Sequence, residues 1–206
     1  MKGSLTVFVC FVAGCLIGVF IKPDFDFHRL SLILLYLLMI QVGFSIGANP
    51  MLPEILKKIS VKDLLLPIGT VGGALIFSAV AALIFNELKL SQILAVNYSC
   101  GYYSMASILI NQLTVPSLGE IVAAELATIA LLTNVMRELM ALIFAPFLSR
   151  RLGPYAMIGA AGVTSTDVCL PAIIRYNGDS FTGIAIIHGI LIDISTPFFL
   201  TLFCQP

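Results

Sequence analysis

Apolar residues run in long blocks along this chain. They cover 4–21, 30–47, 64–85, 93–112, 121–147, 156–175 and 180–204, and only the connection 48–63 has any length. Blocks of this size predict helices. At about 1.5 Å per residue, roughly 20 apolar residues cross a hydrocarbon core about 30 Å thick. Two blocks are interrupted by polar and backbone-breaking residues. One reads Ala95-Val-Asn-Tyr-Ser-Cys-Gly-Tyr-Tyr-Ser-Met-Ala-Ser107 and the other Ile158-Gly-Ala-Ala-Gly-Val-Thr-Ser-Thr-Asp-Val-Cys-Leu-Pro171. Non-helical backbone at membrane depth is tolerated only where it is buried in protein or lines a wet cavity. Broken segments of this kind build transporter binding sites.

Composition agrees with the pattern. The chain is 59% hydrophobic and 11% charged, with mean hydropathy +1.06, whereas soluble domains are about half apolar and a quarter charged. The expected fold class is an all-α integral membrane protein, a single polytopic domain over 1–206. A net charge of zero gives no reason to expect nucleic acid as a partner. Cys10, Cys15, Cys100, Cys169 and Cys204 lie in or beside apolar blocks without metal-ligand spacing, and His28 and His188 form no zinc motif. No cofactor or metal is expected. Val12-Ala13-Gly14-Cys15 resembles a lipoprotein cleavage site, but the apolar run continues to Ile21, so an uncleaved helix is the expectation.

Positive charges separate two topologies. If all seven blocks span, Lys2, Lys57, Lys58, Lys62 and Arg175 face Lys22, Arg29, Lys89, Arg150 and Arg151, a tie. If 93–112 and 156–175 re-enter as hairpins, Arg150 and Arg151 change sides and seven charges stand against three. The second arrangement obeys the positive-inside rule. It predicts five spanning helices and two hairpins entering from opposite sides. The N-terminus would be cytoplasmic and the C-terminus external, in the inner membrane. Two broken helices that cross fully are the alternative.

The intramembrane polar set is Asn97, Glu125, Asn134, Arg137, Glu138, Asp167, His188 and Asp193. A charge at the helix centre costs about 2.5–3.5 kcal/mol on insertion scales, so such groups face a bundle interior or a cavity. Asn134 and Glu138, four apart, share a helix face. Arg137 points about 100° away, from the 3.6-residue turn. Glu138 is read as meeting a cation or proton in a cavity, against a purely structural tie for Arg137 and Glu138. Glu125 is read as interfacial. Thr164, Ser165, Thr166 and Asp167 either ligand a cation or ammonium group or cap the helix that follows. Tyr102, Tyr103 and Ser104 add polar tips beside the other break. His188 is either a satisfied core residue or a proton relay, and Asp193, five residues on, is out of phase with it.

Gly101-Tyr-Tyr-Ser-Met-Ala-Ser-Ile-Leu-Ile110, Asn134-Val-Met-Arg-Glu-Leu139, Gly162-Val-Thr-Ser-Thr-Asp167 with Leu170-Pro171, and Ala185-Ile-Ile-His-Gly-Ile190 together resemble the bacterial lysine exporter LysO family. The resemblance implies export of L-lysine and toxic lysine analogues, an inverted-repeat transporter fold, and a required acidic residue at Glu138. It also implies that about a hundred residues, some three helices, of the full-length pattern precede the part matched here, with a second important acidic residue among them. A small membrane protein supplying those helices, or a homo-oligomer, is therefore an expected partner. No enzyme signature is present: neither a Ser/His/Asp set, nor His-Glu-x-x-His, nor a P-loop. Alternatives are a transporter of another amino acid and a structural or assembly subunit of a membrane complex.

Overall fold

The computed structural model describes residues 61–85, 88–100 and 103–204, with isolated positions between 9 and 53. The spans expected at 4–21 and 30–47 lie outside this range apart from those positions. Tyr102 and the side chain of Ser104 also lie outside it. The described α-helices of eight residues or more are α1 (Val61–Ile84), α2 (Leu90–Tyr98), α3 (Tyr103–Leu118), α4 (Glu120–Ile143), α5 (Pro154–Ala161), α6 (Leu170–Asn177) and α7 (Thr182–Phe203). No strand occurs among the described residues. The fold is all-α, as expected.

Three stretches are long and apolar enough to cross a membrane, namely Leu64–Ile84, Glu120–Ile143 and Asp179–Phe203. Their outer faces carry exposed Ile68, Ile76, Leu83, Ile129, Ile143 and Phe198. In water such a surface would be a liability, whereas against lipid it is the expected covering.

Between these spans lie the two interrupted blocks, and packing gives their course. Ala95 and Val96 of α2 share a buried cluster with Ala106 and Ile110 of α3, Leu126 and Ala130 of α4, and Leu200 and Cys204 at the end of α7. Both arms, α2 and α3, therefore lie at the same end of the bundle, and the chain enters and returns on one side. The second block mirrors this at the other end. Met157 and Ile158 of α5 and Ile173 of α6 pack with Ala141 late in α4 and Ala185 early in α7. Ser149, just before α5, donates a hydrogen bond to the carbonyl of Tyr176 at the end of α6 (3.1 Å), and Asn177 Nδ2 meets Met157 Sδ at 3.5 Å. The described part is thus three spans and two re-entrant hairpins from opposite ends, the arrangement that the charge asymmetry favours over full crossing.

The element boundaries differ from the apolar blocks. The block 93–112 divides into α2 and α3 around Ser99 and Cys100, and 156–175 divides into α5 and α6 around a 3₁₀ turn, Gly162–Thr166. Hydropathy marks where lipid-compatible residues lie and carries no information on where backbone bonding fails. Neither Thr164 nor Asp167 caps α6. The residue before that helix is Cys169, without a side-chain cap bond. Asp167 Oδ1 accepts from Val168 N–H, an amide ahead of the helix, while Thr164 and Thr166 turn back to the carbonyls of Ala161 and Val163 within the 3₁₀ turn.

Candidate functional site where the hairpin tips meet

The hairpin tips touch at mid-depth. Val163 N–H of the second tip donates to the Cys100 carbonyl of the first at 3.0 Å. The approach is close enough to require Gly162, because a Cβ there would collide with the Cys100 carbonyl oxygen. Cys100 itself has φ +49, left-handed for a residue with a side chain, a strain of about 1–2 kcal/mol. Strain of this kind persists only where surrounding contacts hold it.

Each tip is fixed by the helix that follows it. Asn134 Nδ2 of α4 donates to Ser99 Oγ and, at 2.8 Å, to the Ala130 carbonyl. Ser99 Oγ in turn bonds to the Val96 carbonyl (2.5 Å), satisfying an orphan acceptor at the end of α2. Ser165 Oγ of the second tip donates to the Ala185 carbonyl of α7 (2.8 Å) and contacts His188 Nδ1 (3.3 Å). Gly189 lets the tip lie flat on α7, since a Cβ there would meet Ser165 Oγ and the Val163 carbonyl at 2.8 Å each.

Each hairpin is also held by the helix that precedes it. Asn97 Nδ2 donates to the Ala74 carbonyl (3.0 Å) and to Ser78 Oγ (2.8 Å), both on α1. Arg137 Nε and Nη2 donate to the carbonyls of Ala160 (3.1 Å) and Gly159 (3.4 Å) at the end of α5. That cation sits on the negative end of a half-helix and satisfies carbonyls with no partner in the next turn.

Asn134 and Glu138 share one face of α4, as their spacing requires, and each is 1% exposed. Glu138 and Asp167 both act electrostatically on Tyr103, at the start of α3, and on Cys169. Asp167 also acts on half-buried Asp193 of α7. Asp167 itself is exposed, and Val168 N–H donates to its Oδ1. Two carboxylates and a phenol therefore lie within electrostatic reach of one another, with Tyr103 opening α3 and Asp167 just ahead of α6. Helix first turns attract anions and carboxylates attract cations, so a small zwitterion with extra positive charge suits such a place. Glu125 stands apart, exposed near the start of α4. His188, 1% exposed, is held by Ser165 on one side and Thr70 Oγ1 on the other (2.9 Å).

On the Arg137 side of α4, a groove of about 1230 Å³ opens between α1, α4 and α5. Its walls are apolar, and Thr70, Asn97, Thr133 and Arg137 give it polar points. No group of three or more metal-ligating side chains occurs among the described residues.

Sequence reasoning overlooked Thr70, Ser78 and Ser195, the last bonded to Tyr98 Oη at 3.1 Å. A lone hydroxyl in an apolar helix carries no signal, since its own i−4 carbonyl can satisfy it.

Spans separated by two opposed hairpins that meet at mid-depth make this an all-α membrane protein. Comparison with known proteins narrows the class. The model of the family described as lysine exporter LysO matches residues 8–204, and the chain belongs to that family. It is 29% identical over 171 residues to the lysine exporter LysO of Escherichia coli (strain K12), covering 82% of this chain and 53% of that relative. The chain thus spans about half the length of that protein. It is 27% identical over 199 residues to the Haemophilus influenzae (strain ATCC 51907 / DSM 11121 / KW20 / Rd) protein named "Putative lysine exporter", covering 93% of each chain. No solved structure matches.

Proposed function

We propose that this protein exports L-lysine, and toxic lysine analogues, across the cytoplasmic membrane by exchange with an ion or proton. The observation that carries the reading is the tip contact between Val163 and Cys100, with buried Glu138 on the spanning helix beside it. Lysine has two ammonium groups and one carboxylate. Glu138 and Asp167 supply the negative charge, with Asn134, Thr164, Thr166, Tyr103, Ser165 and Asp193 as further polar lining of the pathway, to which the sequence adds Tyr102 and Ser104 as candidates. The first turns of α3 and α6 suit the carboxylate. Asn97 and Arg137 hold the hairpins in place, and His188 lies on the same pathway.

The charge asymmetry supports a cytoplasmic N-terminus and an external C-terminus. A small membrane protein supplying further helices, or a second copy of the chain, closes the path around α4. Without that cover, charge at mid-depth would face lipid at a cost of about 2.5–3.5 kcal/mol.

Uptake of labelled lysine into inverted membrane vesicles tests this. Vesicles containing the protein should accumulate lysine, more so when a partner is co-expressed, and cells should gain resistance to a toxic lysine analogue. Normal expression with neither effect would leave the assembly-subunit reading, and accumulation of a different amino acid would change the substrate.

A further inference from the structure

The groove between α1, α4 and α5 does not include Glu138 in its walls, and no step of the proposed export uses it. At about 1230 Å³ it exceeds the roughly 300–1,000 Å³ of small-molecule sites. From Leu65 to Phe77 of α1 it runs about 18 Å, close to one leaflet of a hydrocarbon core about 30 Å thick. Its floor is built of small residues, Gly69 and Gly73 of α1 and Ala156, Gly159 and Ala160 of α5. A Cβ added at Gly69 or Gly73 would meet nothing within 4 Å. Its rim is apolar and open, with Phe77, Met136, Met140 and Phe144 exposed. A trough of this shape on the side of a membrane protein takes up hydrocarbon, because its lining would otherwise forfeit dispersion contacts.

Charge gathers at one end of this trough. Phe147 and Leu148 line it on one side and Tyr155 and Ala156 on another, and the π turn Leu148–Leu152 joins those walls. The turn carries Arg150 and Arg151, both exposed, and among the described residues no ion pair engages either. The end of α6 lies beside it, where Ser149 bonds to the Tyr176 carbonyl, so exposed Arg175 belongs to the same end. Exposed Asp179 offsets one of the three arginines, and Lys62 and Asp63 at the start of α1 cancel. Arg137 is the cation inside the groove, but it lies six residues before Ile143, about 9 Å inside the end of α4. Its Nε and Nη2 are committed to carbonyls, so a charged head group stays at the turn. We infer that the groove seats one anionic phospholipid of the surrounding membrane, with its acyl chains between α1, α4 and α5 and its phosphate on Arg150 and Arg151. A phospholipid matches the trough and the arginines together. A spanning protein helix matches the trough and leaves the arginines without an anion. Exposed Ile121, Val122 and Ile129 of α4 lie beyond the groove and stay available to partner helices. The inference stands apart from the export reading.

Native mass spectrometry of the purified chain in mild detergent tests this. Phosphatidylglycerol and phosphatidylethanolamine with the same acyl chains are added at equal concentration. The protein should retain one phosphatidylglycerol and prefer it over phosphatidylethanolamine. In the double variant Arg150→Gln, Arg151→Gln the preference should fall roughly 30-fold, two basic residues at their usual strength toward an anionic membrane surface. An unchanged preference overturns the proposal. Lys89→Gln, at the other end of the bundle, should bind as the wild type does. An equal loss there would reduce the effect to overall charge and overturn it as well. Gly73→Leu fills the floor without striking protein, and retention of both lipids should fall. Wild-type retention in that variant places the chains elsewhere and overturns the proposal. Should Gly73→Leu fail to fold, Gly69→Leu is measured in its place with the same two outcomes. A co-expressed membrane protein that displaces the lipid, in the wild type and the arginine variant alike, would assign the groove to a helix and overturn the lipid assignment.

Discussion

Three glycine-to-alanine substitutions separate the components of the tip contact. Gly178 has φ +91 with nothing within 4 Å of an added Cβ. Gly178→Ala therefore carries backbone strain alone, about 1–2 kcal/mol. Gly189 is helical, and its Cβ would meet Thr166 Cγ2 at 2.5 Å, Ser165 Oγ at 2.8 Å and the Val163 carbonyl at 2.8 Å. Gly189→Ala carries overpacking of about 1–3 kcal/mol, partly offset by up to about 1 kcal/mol of helix propensity. Gly162 has φ +63 and its Cβ would strike the Cys100 carbonyl, which is backbone and cannot swing aside. Gly162→Ala combines both costs and displaces the acceptor of the Val163 bond, for a total of about 2–5 kcal/mol. Unfolding of the purified variants by denaturing detergent in mixed micelles gives the order. Gly162→Ala should be the least stable, and its lysine export should fall further than that of Gly178→Ala. Equal stability of the Gly162 and Gly178 variants would refute the reasoning, because the tips would then not be in contact.

Glu138→Gln should abolish lysine export at normal membrane insertion, read by resistance to a toxic lysine analogue, while exposed Glu125→Gln should have a smaller effect. Arg137→Gln should destabilise by about 1.5–3 kcal/mol, the range for hydrogen bonds from a charged group, with Arg137→Lys intermediate. A loss confined to transport, with no change in the unfolding midpoint, would contradict its place at the end of α5. Cysteines introduced at Tyr102 and Asp167 should be joined by reagents spanning about 10 Å, roughly three extended residues. No product would count against tips that meet.

Much of this architecture can be read from the sequence because lipid enforces a simple grammar. Long apolar blocks become spans, and clusters such as Gly162-Val-Thr-Ser-Thr166 cannot lie against hydrocarbon, so they mark breaks that protein has to bury. Arg150 and Arg151 separate hairpins from crossings through their charge alone. Asn134 and Glu138 fall on one buried face by period. The remainder depends on rotation and neighbours. Asn97 reads as a polar residue near a break, but that it grips Ala74 and Ser78 follows from how α2 lies on α1. Arg137 reads as a possible structural tie, but that it binds two carbonyls at the end of α5 follows from how that helix lies on α4. Gly189 reads as one more small helical residue, and only the tip lying on it explains why it has no side chain.

The short hairpin arms bear on how the protein is made. α5 and α6 have 8 residues each, about 12 Å as helix, less than half the hydrocarbon thickness. Neither arm can leave the insertion machinery as a membrane segment in its own right, and the hydroxyl-rich turn between them would meet bare lipid. Its seat, Gly189 and the Ala185 carbonyl, belongs to α7, which lies beyond it in the chain, so the second hairpin would settle only once α7 has inserted. Biogenesis would then run against the order of synthesis. A defect in the last helix would be felt first as a hairpin stranded at the membrane surface, where proteases reach it.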